Sequence, residues 1–141
     1  MPELVNRMSR LVEDAALHLG LSEEDASIAS RSAVLTAGDK TVSMLPLGPS
    51  DTGGLSLVLS VQTSVPVCGD RGSAGVIAVL QHAPGALHAL AASLGATPDG
   101  FWIVHRLMRV CPDGGAALAA GVRESVHLAD YVLRGEHAGS H

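Results

Sequence analysis

GATPDGFWIVHRLMRV, residues 95–110, is the stretch on which the fold turns. It carries Phe101 and Trp102, two of the chain's three aromatic residues, directly after an Asp-Gly pair. Asp-Gly suits a two-residue type I′ hairpin turn, whose central residues both need positive φ. With Asp99-Gly100 as that turn, 89–97 is the strand paired with 101–110. Thr97 then faces Trp102, Gly95 faces Val104 and Ala91 faces Met108. On the other face Ala96 meets Ile103, Leu94 meets His105 and Ala92 meets Leu107, a serviceable core. The first set stands Trp102, Val104 and Met108 over small residues, a shelf on which a helix or an extended peptide can lie. Cover by the chain's own first or last helix is the equal alternative, since a helix-packed sheet needs one covered face. A slip of one residue would exchange the two faces.

Upstream, LSLVLSVQT (55–63) is the clearest strand. Leu55, Leu57, Leu59 and Val61 alternate with Ser56, Ser60 and Gln62. Residues 32–47 read as a hairpin turning at Gly38-Asp39-Lys40, and GPSDTGG (48–54) as a turn cluster. Residues 2–19 form an amphipathic helix with Leu4, Val5, Met8, Leu11, Val12, Ala15 and Leu19 on one side, stopped by Gly20. Ser22 caps one or two helical turns in SEEDASIAS (22–30). SAGVIAVLQHA (73–83) is a short helix ended by Pro84-Gly85, and 86–97 fits helix and strand patterns alike. Residues 113–134 close the chain as a helix with Asp113 as cap, Leu118, Val122, Val126, Ala129 and Leu133 as its face, and Gly135 as stop. The reading is one α+β domain over 1–135, in the order α-β-β-β-α-β-β-α, with a mostly antiparallel sheet packed by helices. Residues 136–141 form a disordered tail.

Composition narrows the function. The 141 residues are 47% apolar and 16% charged, with mean hydropathy +0.31. So oily a small domain hides apolar surface in a dimer or against a partner. Net charge is −5 with nine Lys and Arg, which argues against nucleic acid. No run approaches the ~20 apolar residues of a membrane span, and no signal peptide is read before the first helix. The expectation is a soluble, cytoplasmic protein. Cys68 and Cys111 are too few for a disulfide framework.

Chemistry-bearing motifs are missing: there is no G-x-S-x-G, H-E-x-x-H, C-x-x-C or G-x-x-x-x-G-K-[ST]. CGDRGSAG (68–75) is glycine-rich but lacks the lysine of a phosphate loop. His82, His88, His105, His137 and His141 show no metal-ligand spacing. The expectation is no enzyme, no metal and no cofactor.

The order of elements, together with SLGATPDGFWIVHRL (93–107) and AALAAGVRESVHLADYVL (116–133), resembles the type III secretion effector chaperones, small acidic proteins of Gram-negative bacteria. Around the second helix the chain departs from that pattern, reading VIAVLQHAPGAL where members often carry an Asn-rich or Leu-Leu pair. The resemblance implies a non-catalytic homodimer. A secreted effector's N-terminal segment would wrap around it in extended form, kept soluble and export-competent, with the secretion ATPase as a further contact. It places the dimer contact at Val76, Val79, Leu80, Leu87 and Leu90. Effector-binding grooves fall on Leu4, Met8, Leu11, Val12, Leu57, Trp102, Val104 and Met108, for which core packing is the plain alternative. Two other readings compete: a roadblock-like dimeric scaffold binding a folded partner, and an enzyme using Cys68 or Cys111 with a histidine.

Overall fold

The structure, a computed structural model, describes residues 2–37, 39–49, 54–67, 73–82, 84–111 and 113–138. Helix α1 (Pro2–His18) ends where the pattern of apolar residues ends. Gly20 takes φ +91° and donates to the Leu17 carbonyl, while the Leu21 amide reaches Ala16, the paired bonds of a Schellman cap. Helix α2 (Glu23–Ser32) is longer than the one or two turns expected. The Ser22 hydroxyl accepts from the Asp25 amide at 3.1 Å, and Ala33 in the left-handed region closes the other end. Capping at both ends and burial of Ala26 and Ala29 extend a segment whose propensity alone is modest.

Strands β1 (Val34–Ala37), β2 (Lys40–Pro49) and β3 (Leu55–Pro66) follow as a meander. Helices α3 (Ser73–His82) and α4 (Pro84–Ala89) come next, then β4 (Ala92–Ala96), β5 (Phe101–Val110) and α5 (Gly115–Ala138). The ambiguous stretch 86–97 is therefore both helix and strand, divided at Ala91 with φ +51°. Five antiparallel strands lie in the order β1-β2-β3-β5-β4. The fold is α+β, as expected, with α2 and α4 added to the expected element order. Asp113 is not the first residue before α5; Gly114 is, and its carbonyl accepts from the Leu118 amide. Nor does Gly135 stop α5, which runs on to Ala138.

The hairpin register is corrected by one residue. Ala96 pairs with Trp102, Gly95 with Ile103, Leu94 with Val104 and Ala92 with Arg106. The loop has three residues, Pro98 to Gly100, not two. The Gly100 amide donates to the Thr97 carbonyl at 2.9 Å, and Gly100 takes φ +89°. This is a type I turn completed by a left-handed glycine, and Pro98 has the fixed φ that its second position favours. The Thr97 hydroxyl accepts from the Phe101 amide at 3.1 Å, closing the loop.

The slip decides which face is core. Trp102 and Val104 now share a side with Leu94 and Ala96, and that side lies under the helices. Buried rows run across the strands: Val42, Val61 and Val104 in one, Met44 and Leu59 in the next. Met8, Leu11, Val12 and Ala15 of α1 and Leu118, Val122, Ala129 and Leu133 of α5 complete the core. Two ion pairs tie α5 to the sheet, Arg106–Glu124 and Lys40–Asp130, each at 2.6 Å.

Helix α5 begins hard against α1 at Gly115, where a Cβ would collide with the Asp14 side chain. Gly115→Val is expected to lower stability by about 1–3 kcal/mol through overpacking. A denaturant midpoint equal to the wild type's would contradict this close approach.

Candidate interaction surfaces

Most of the residues expected to form a binding groove lie inside the domain. Met8, Leu11, Val12, Leu57, Trp102 and Val104 are buried, and Met108 is half-buried beside Gly121 of α5. The shelf is this chain's own core, covered by its own helices, and Leu4's side chain lies outside the described residues. Of the expected dimer residues, Val79 is wholly buried, Val76, Leu87 and Leu90 are half-buried, and Leu80 is 53% exposed beside Ile77.

Three surfaces remain open. The first is the sheet face turned away from the helices. There Leu45, Val58 and Leu107 sit directly opposite one another on β2, β3 and β5, and Leu47 bulges out beside them. Leu45, Leu47 and Leu107 are 62%, 55% and 49% exposed. The neighbouring row is Ser43, Ser60 and His105, with the Ser60 hydroxyl and His105 Nδ1 2.8 Å apart.

The second is the outer edge of β1, which has no strand beside it among the described residues. A cavity of about 210 Å³ adjoins it, lined by Leu19, Leu21, Leu35, Val122 and Val126, with Arg123 and His127 also in the lining. A second hollow of about 340 Å³, bounded by Asp25, Ile28 and Ala29 of α2, reaches the same strand at Val34–Thr36. The third is α3, which contains no Asp, Glu, Lys or Arg and exposes Ile77 and Leu80.

Among the described residues, the histidines and Cys111 are not assembled into a site. Cys111 is a free, exposed thiol. It lies six residues beyond His105, a run of about 20 Å in extended chain. Cys68, His141 and the side chains of His82 and His137 lie outside the described residues. Among those described, no three His, Cys, Asp or Glu residues form a group that could hold a metal ion. No helix among them is long and apolar enough to cross a membrane.

No protein-family model, curated protein or solved structure matches this chain.

Among the described residues, one charge cluster has shifted pKa values, and it supports the β1–β2 turn. Lys40 is buried against α5, its ammonium bonded to Asp130 and, at 3.0 Å, to Asp39. Burial pulls the Lys40 pKa down, but the hydrogen bonds and charges of Asp130 and Asp39 outweigh it and raise the pKa above its ordinary value. The hydrogen bond and charge of Lys40, helped by the Ser64 hydroxyl, hold the Asp39 carboxyl below its ordinary value. The Asp39 contribution is present above about pH 4 and fades as pH falls through its lowered pKa, while that of Lys40 is lost only well above about pH 10. Lys40→Met is therefore expected to lower the thermal midpoint by a few degrees at neutral pH. The gap from wild type should narrow below about pH 4. A gap constant from pH 7 to pH 3 would show that the cluster contributes no electrostatic stability.

Proposed function

We propose that this chain is a non-catalytic binding module that holds a segment of another polypeptide in extended form, in the manner of the type III secretion chaperones it resembles. The carrying observation is the edge of β1, unpaired among the described residues, with an apolar hollow and a second, mixed one beside it. An extended segment laid along such an edge gains backbone hydrogen bonds, and its alternate side chains point into the flanking hollows. Leu19, Leu21, Leu35 and Val126 supply apolar walls of broad shape, suited to clients of varied sequence. An effector's N-terminal segment, kept unfolded before export, is the client that the resemblance implies. Ordering such a segment costs free energy, so a contact longer than one strand is needed to offset it.

The test begins with the partner retained by the tagged protein from its own cells, followed by limited proteolysis and synthesis of any protected segment as a peptide. Ile28→Asp, on the exposed rim, and Val126→Asp, in the cavity wall, are each expected to weaken peptide binding about tenfold or more. Binding indifferent to both substitutions would place the client elsewhere. Retention of an intact folded partner with no protected segment would favour the roadblock-like scaffold instead.

A further inference from the structure

We propose that the β1 edge is polarised by charge, and that the segment it takes runs antiparallel to β1 in the order acidic residue, spacer, apolar residue, spacer, basic residue. The assignment rests on the docking role proposed for that edge and adds the chemistry of what docks there. The two hollows beside β1 share Leu21, Leu35 and Thr36 and differ in what closes them. Toward Ala37 the rim is Arg123 and His127, one turn apart on α5. Toward Val34 it is Asp25, one turn before Ile28 and Ala29 on α2. Along the short strand β1 an acidic rim thus gives way to a basic one.

Both rims have charge to offer, since Asp25, Arg123 and His127 are all exposed. The Arg123 guanidinium donates to the His18 carbonyl at 2.8 Å, which holds it at the end of α1. Among the described residues no carboxylate pairs with it. A guanidinium has five N–H donors, so most are left for a carboxylate from another chain. Glu124 and Asp130 of α5 are turned to Arg106 and Lys40, and Asp14 of α1 to His18, so these acids do not neutralise it. On the other rim the Asp25 amide donates to Ser22 in the α2 cap. The Asp25 carboxylate has no Lys, Arg or His partner among the described residues.

Strand geometry sets the spacing. Leu35 is buried under the helices and paired with Val42 of β2. A residue added opposite Leu35 on the free edge turns its side chain the same way, onto the floor that both hollows share. Residues two before and two after it face the hollows as well, ~6.6 Å to either side. Every strand pair of this sheet is antiparallel. In that order the residue before the apolar one meets Arg123, and the residue after it meets Asp25. A segment of the opposite order would bring like charge to like at both rims.

Three short synthetic peptides, titrated into the purified full chain by fluorescence anisotropy, test this. They share their flanks and differ in the core: Asp-Thr-Leu-Thr-Lys, the reverse Lys-Thr-Leu-Thr-Asp, and the uncharged Gln-Thr-Leu-Thr-Gln. The first is expected to bind about tenfold tighter than the uncharged peptide, because two exposed ion pairs are gained. The reverse should bind more weakly than either. Arg123→Gln and Asp25→Asn, both at exposed positions, should each weaken the first peptide about threefold and leave the uncharged one unchanged. Equal affinity for all three, preference for the reverse order, or a loss that the uncharged peptide shares would each overturn the proposal and leave edge docking in place. Failure of all three to bind would overturn edge docking itself, and this assignment with it.

Discussion

A strand can present successive side chains only to opposite faces, and in β3 that constraint governs the whole molecule. Leu55, Leu57, Leu59 and Val61 all point one way and are fully buried, while Ser56, Val58, Ser60 and Gln62 point the other. Because β3 is central, its neighbours on both sides must bring their own apolar positions to the same face. Val42 and Met44 on β2 and Val104 on β5 do so. Helices α1 and α5 then have one apolar floor on which to pack. Arg106 and Lys40 reach out of that floor to Glu124 and Asp130 and hold α5 across it.

The consequence is a difference in character between the two faces of the sheet. No strand of the sheet contains an Asp or Glu, and a leucine-valine-leucine row, Leu45, Val58 and Leu107, crosses its outer face. The helix-covered face holds the core. The sheet's outer face and its β1 edge stay uncovered among the described residues.

Much of this was legible in the sequence, for identifiable reasons. The alternation of β3, the Gly20 stop, the Ser22 cap and the face of α5 at Leu118, Val122, Ala129 and Leu133 all follow from local rules that tertiary packing reinforces. The order of faces in the last hairpin did not follow from Asp99-Gly100 alone. Pro98 was the missed signal: it makes Thr97 to Gly100 a type I turn and adds one residue to the loop, which moves Trp102 and Val104 from a supposed shelf into the core. The extent of α2 rests on tertiary burial of Ala26 and Ala29, which single-segment propensity does not carry. The helix-then-strand character of 84–96 depends on a left-handed Ala91, a conformation that alanine rarely adopts and composition does not announce. The β1-edge hollows escaped notice because they are built from Leu19, Leu35 and Val126, residues far apart in the chain.

The central claim is that the helices cover the Trp102 side of the sheet, and Trp102 is the chain's one tryptophan, 4% exposed. Its fluorescence therefore reports that face alone. The account predicts a blue-shifted emission that acrylamide barely quenches in the native protein and that moves red and becomes quenchable on denaturation. Native emission and quenching like those of free tryptophan in water would contradict it, and would place Trp102 on the open side of the sheet.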